Sequence, residues 1–167
     1  MEKRSRYWVL KVNPKDNNIK EMIDNYLLKE KEHKWNIKSP ISKEMKKGDV
    51  FFIWASTPEK RVVAKAKCGN INREVKSFKV IYETPYINNN LTLEYLKNDK
   101  ELRAKEMPSF LKRGAAFTIF SLTKKQGERL DFLFTNNEDS LIEDLLEIEN
   151  LDIPKTQKDS LGKCRIS

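Results

Sequence analysis

The chain has 167 residues with 38% hydrophobic content, enough for one domain with a real core, and its 33 Lys and Arg against 25 Asp and Glu give a formal charge of +8. This excludes wholesale disorder, and two widely separated cysteines, Cys68 and Cys164, with the single histidine His33 exclude a structural zinc site on ligand count and spacing. No apolar run approaches the roughly 18 residues of a membrane span, and the basic start Met1–Arg6 is followed by too few apolar residues for a signal peptide. A soluble, cytoplasmic protein with reduced thiols is expected.

The charge is unevenly spread. Six acids, Glu138, Asp139, Glu143, Asp144, Glu147 and Glu149, share one stretch without Lys or Arg, which leaves 33 basic residues against 19 acidic ones, or +14, elsewhere. A basic body is the electrostatic footprint of a phosphate-backbone partner, although a Lys-, Asn- and Ile-rich composition also produces a merely solvated surface.

In chain order, Arg6–Val12 alternates with Trp8, Leu10 and Val12 on one face, a strand pattern that Asn13-Pro14 ends. Asn17 or Asn18 then caps a helix in which Ile19, Met22, Ile23, Tyr26 and Leu27 recur at helical spacing. Beyond its polar end lies Glu32-His33-Lys34-Trp35-Asn36-Ile37, where Trp35 stands in a polar stretch that no core requires; His33 reads as a solvated residue at the helix end. A charged turn, Lys47-Gly48-Asp49, leads into the buried strand Val50–Ala55, and Thr57-Pro58-Glu59-Lys60 turns the chain back into Val62–Lys67 as a hairpin. Val75–Glu83 is a further strand.

The middle of the chain, 85–113, is less regular, with short helices expected over Leu91–Leu96 and Lys100–Met107. Ala115–Phe120 reads as the last strand, and Thr123-x-x-Gln126 is a capping box opening a helix through Phe134, in which Gly127 costs about 1 kcal/mol relative to Ala. Asp139–Glu149 is an amphipathic acidic helix, and 151–167 reads as a polar tail or linker after a domain spanning 1–150. The element order predicts an α+β domain around a strongly curved, barrel-like sheet of about five or six strands flanked by helices.

The usual catalytic signatures are missing: no phosphate-binding Gly-rich loop, no H-E-x-x-H and no G-x-S-x-G, so a binding module rather than an enzyme is expected, with no cofactor and no metal. Its tools are aromatic. Indole faces stack on any base, each stack being worth roughly 1–3 kcal/mol, and a cationic, methylated base gains further from the ring quadrupole. Trp8, inside an alternating strand, reads as core. Trp54, at a strand's end, fits either the core or a pocket wall, and Trp35 reads as the site.

Tyr7-Trp8-Val9-Leu10-Lys11, Trp35-Asn36-Ile37, Met45–Ser56, the return strand Val62–Ala66, and Phe117–Thr123 ahead of a helix together resemble an EVE domain, over about residues 6–135 and in the same order. EVE domains are related to YTH and other PUA-like folds. The resemblance implies a curved barrel-like sheet with an aromatic pocket for a modified base, and Trp35 at a position that is a pocket wall in the YTH relatives. Trp54 falls where the family usually has Tyr or Phe, in a Trp54-Ala55-Ser56 step that lacks the family's histidine. The second cage tryptophan of YTH readers has no counterpart in Cys68–Asn72, so Phe78, Tyr82 or Phe117 must stand in.

Similar domains also front modification-dependent restriction proteins of the McrB type. The resemblance therefore implies a module that flips a methylated base of DNA into an aromatic pocket and partners a GTPase or nuclease, or a fused motor domain. A PUA-like RNA-binding protein and a modified-nucleoside-binding domain are the alternatives. The expected base-binding residues are Trp35, Trp54, Asn36, Ile37, Ser39 and Ser56, and the expected phosphate contacts are Lys46, Lys47, Lys60, Arg61, Lys112 and Arg113.

Overall fold

The structure, a computed structural model, describes residues 6–15, 18–37, 41–112 and 118–136. Its sheet has six strands: β1 (Tyr7–Val12), β2 (His33–Asn36), β3 (Val50–Ala55), β4 (Arg61–Asn72), β5 (Ser77–Tyr82) and β6 (Ile119–Leu122), in the spatial order β2-β5-β4-β3-β1-β6. β1 and β3 run parallel and every other pair is antiparallel, so the expected α+β class holds as a mixed, open sheet with β2 and β6 at its edges. Helix α1 (Ile19–Leu28) is capped by the Asn18 side chain on the Glu21 amide. Helix α2 (Leu93–Lys97) is short, and α3 covers residues 124–136.

Alternation in β3 shows why both faces of the sheet are dry at its centre. Phe51, Ile53 and Ala55 point into one cluster with Trp8, Leu10, Phe78, Val80 and the Ile19 and Ile23 side of α1. Phe52 and Trp54 point the other way, into a second cluster with Val9 and Phe120, closed by Leu130, Leu133 and Phe134 of α3 and by Leu91, Leu96, Leu102, Phe110 and Leu111 of the irregular middle segment. A strand that buries both its faces reads as a continuous apolar run, as Val50–Ala55 does.

Several sequence expectations need correction. Trp35 lies not in a loop at a helix end but on the edge strand β2, paired with Phe78 of β5. α1 stops at Leu28, and Glu30, with φ of 52°, turns the chain into the strand. β4 does not end at Lys67 but runs on to Asn72 through a bulge between Cys68 and Ile71. Gly69 is required there, because a Cβ at this position would lie 2.8 Å from the Lys79 Cβ. Residues 100–107 form turns and bends rather than a helix, held by Asp99, which accepts from the Leu102 amide at 2.7 Å and takes both Nε and Nη2 of Arg129. Thr118 already lies outside β6, so of the strand expected at Ala115–Phe120 only the end falls in the observed one, while 115–117, like the acidic helix and the tail, lie outside the described residues.

The capping box forms as expected. The Gln126 amide donates to Thr123 Oγ1 at 3.1 Å, and the Thr123 amide to Gln126 Oε1 at 3.0 Å.

Candidate functional site: an aromatic cluster at the sheet edge

β2 is four residues long, and its alternation places His33 and Trp35 on the α1 side of the sheet while Lys34 and Asn36 face the opposite side. Trp35 is half-buried. Its indole stacks obliquely on Phe78, with centroids 6.1 Å apart at 30°, and meets the His33 ring edge-on at 5.9 Å. Phe78 is itself buried and packed edge-to-face on Phe51, so the Trp35 ring is backed by the core.

The polar atoms of the cluster fix its geometry. The Trp35 Nε1–H points at His33 Nδ1 (3.1 Å) and at the Tyr82 hydroxyl (3.3 Å), and that hydroxyl is 2.7 Å from the same Nδ1. An indole N–H only donates, so it is shared between Nδ1 and the Tyr82 oxygen, and the imidazole tautomer sets which way the Nδ1–Tyr82 hydrogen bond runs. Tyr26 of α1 stacks on His33 at 4.4 Å and 18°. Burial lowers the His33 pKa below its ordinary value and pushes the Tyr82 phenol up, so the neutral network persists at pH 7.

His33 is thus no solvated helix-end residue; it is the hydrogen-bonded hub that orients Trp35. Nothing local in Glu32–Ile37 announces this, because Tyr26 and Tyr82 are brought to it by α1 and β5. Phe78 and Tyr82, two of the three aromatic residues expected to replace a missing wall, do stand beside Trp35. They are 1% and 5% exposed, so they support the indole from behind rather than form a second open wall.

Trp54 does not join this cluster. It is 4% exposed, lies in the second core, on the sheet face opposite Trp35, and packs edge-to-face on Phe110 at 5.3 Å. Separation along the sheet reinforces this. Trp54 pairs with Val62 of β4, whereas Trp35 pairs with Phe78, which pairs with Ile71, nine residues farther along β4 and roughly 30 Å away at strand rise. The two tryptophans cannot clasp one base. Ser56 follows β3 at the same distant end, its amide donating to Val12 O.

The remaining candidates also separate. Ile37 packs against the Trp35-side core, while Asn36 is exposed on the other face; Ser39 and Arg113 lie outside the described residues. Lys46 and Lys47 are exposed on the turn before β3, and Lys60 and Arg61 stand past its far end, roughly 17 Å away along a six-residue strand. Arg61 is already engaged, donating to Asn88 Oδ1 and to Asn89 O at 2.8 Å and pairing with Glu59 at 3.3 Å. Lys112 is exposed after a 3-10 turn at Ser109–Leu111. Lys46 and Lys47 thus stand at the opposite end of β3 from Lys60 and Arg61.

Among the described residues no cluster of His, Cys, Asp and Glu could hold a metal, and no helix is long and apolar enough to cross a membrane.

Comparison with known proteins agrees with this architecture. Protein PSPTO5229 of Pseudomonas syringae superposes with a TM-score of 0.58 at 18% identity, over 76% of this chain and 98% of that one. A Pseudomonas putida protein gives 0.56 at 16% identity over 76% and 98%, and Rpa0253 of Rhodopseudomonas palustris gives 0.56 at 16% over 72% and 86%. At such identities the likeness shows a shared PUA-like fold. No curated protein matches the chain. The EVE domain family model matches residues 6–131, which span all six strands, the first cluster, all of the second but Leu133 and Phe134, and most of α3. The chain belongs to the EVE domain family, whose PUA-like domains commonly bind nucleic acid.

Proposed function

We propose that this EVE domain is a reader of modified bases in DNA, and that the base it reads, a methylated one, stacks on the outward face of Trp35. One observation carries the reading: a half-buried tryptophan at an open sheet edge, backed by Phe78 and oriented by two hydrogen bonds from its Nε1. A ring held this way loses little freedom when a flat ligand lands on it, so the stacking energy goes into affinity. Ile37, two residues along the chain, extends the apolar surface, and the exposed Lys46 and Lys47 give phosphate contacts. Such a domain suits the targeting arm of a modification-dependent restriction system, with a GTPase or nuclease as its partner or on the same chain.

The test is a binding panel of one duplex carrying N6-methyladenine, 5-methylcytosine, 5-hydroxymethylcytosine or no modification, with a matched RNA as competitor. The reading expects one modified duplex to exceed the plain one at least tenfold and to resist the RNA. Equal binding of all duplexes would remove base reading, and preference for the RNA would remove DNA as the target.

A further inference from the structure

Among the described residues, the sheet face opposite Trp35 is covered over only part of its width. α3 and the middle segment close it over β6, β1, β3 and the start of β4, and the last tie is Lys65 of β4 to Asp131 of α3 at 2.8 Å. Beyond that tie the same face carries Lys67 and Gly69 of β4, Lys79 and Ile81 of β5, and Lys34 of β2. Lys34 and Lys79 lie directly opposite each other in register. Like charges at facing positions destabilise a sheet, and here neither lysine has a carboxylate partner among the described residues, whereas Lys67 is paired with Glu83.

A fold keeps such a juxtaposition at a cost. The two lysines border a groove of about 690 Å³, whose lining adds Arg73, Asn70, Asn72 and Ser77, with Glu74 its one carboxylate. Arg73 is fixed rather than neutralised: its guanidinium donates to the carbonyls of Ser42, Lys43 and Met45. The groove therefore carries three cations against one anion and several amide and hydroxyl groups, the complement of a sugar–phosphate strand. Gly69, without a side chain, leaves the Lys79 stem room to lie along the sheet. The groove also reaches Phe78, the ring behind Trp35.

We infer that this groove is a phosphate-binding track, in which Lys34 and Lys79 hold the backbone of the nucleic acid on the outer side of the edge strand while Trp35 takes a base on its inner side. The inference rests on the nucleic-acid reading above and extends it to residues in none of the expected phosphate sets. Adjacent positions of one four-residue strand, Lys34 and Trp35, then divide affinity from selectivity.

The test is duplex binding at several salt concentrations by wild type, by K34Q/K79Q and by K34E, with unmodified and modified duplexes. Two released phosphate contacts lower the slope of log affinity against log salt by about two, and binding weakens equally for both duplexes. K34E places a carboxylate opposite Lys79, so its Tm should stay level or rise while its affinity falls, which separates lost binding from lost folding. An unchanged slope in K34Q/K79Q, with wild type still binding, overturns the track and leaves the reader intact. Absence of any wild-type binding removes both.

Discussion

Replacing Gly127 by alanine sets two effects of known size against each other. Helix propensity favours alanine by about 1 kcal/mol inside α3. The structure opposes it, because a Cβ at Gly127 would stand 2.1, 2.2 and 2.5 Å from Cγ, Cδ2 and Cβ of Tyr7. Carbon atoms rest about 3.5–4.0 Å apart, so the ring must retreat by about 1.5 Å. It cannot retreat along its own stack, since it lies parallel to the fully buried Phe52 at 6.4 Å.

Swinging the Tyr7 ring into solvent relieves the Cγ and Cδ2 contacts, while the Cβ contact also needs a backbone shift, so the ring's loss is a lower bound. Tyr7 is half-buried, so on the order of 100 Å² of contact is forfeited, or about 2.5 kcal/mol at 25 cal/mol/Å². Subtracting the propensity gain leaves Gly127→Ala destabilising by about 1.5 kcal/mol, a Tm lower by about 3–6 °C in a chain of this size. Thermal and urea unfolding measure it directly. The loss should shrink in a Tyr7→Ala background, where the ring atoms are gone and only the Cβ contact at 2.5 Å remains. A single mutant as stable as wild type, or an undiminished loss in the Tyr7→Ala background, refutes the reasoning.

Two further outcomes follow from buried polar groups. Asp49, 2% exposed, accepts from Trp8 Nε1 and from the Lys46 amide, each at 3.0 Å; Asp49→Ala strands a buried indole N–H and a partly buried amide, costing about 2–4 kcal/mol in urea denaturation, and Asp49→Asn should cost less because one carbonyl oxygen remains. His33 is neutral in the fold and its pKa is depressed by burial, so its contribution to stability is complete above the unfolded value near 6.5 and is lost as pH falls through the lower folded value. His33→Phe should abolish this acid-side loss of stability, and a pH profile identical to wild type would contradict the assignment.

The parts of the fold legible in the sequence are those whose signal is local. Trp8, Leu10 and Val12 alternate, α1 repeats every three to four residues, and Thr123 and Gln126 cap α3 through side chains three residues apart. β2 was hidden because four residues hold only two alternations, and Lys34 and Asn36 give it a polar look that belongs to one face. Gly69 and Asn70 suggest a turn after Lys67, yet the glycine serves the close approach of Lys79 inside a bulged strand.

The site divides in the same way. Trp35 stands out because a large ring in a polar stretch is anomalous by itself, but apart from His33 its supports come from strands and helices 9 to 47 residues distant in sequence. Trp54 reads either way from the sequence because the packing that claims it comes from Phe110, in a segment with no periodicity to read. The lysine pair Lys34 and Lys79 exists only in the β2–β5 register, which short polar strands do not specify.

The most direct measurement of the central claim is the ratio of affinities for modified and plain duplex in wild type and in Trp35→Ala, with Trp35→Phe as a folded control. Loss of one base stack should lower modified-duplex affinity by about 5- to 150-fold and bring the ratio to about one, while salt-sensitive binding to both duplexes persists. Trp35→Phe should keep part of the preference. A Trp35→Ala protein that folds and retains the wild-type ratio would place the reading surface elsewhere in the domain.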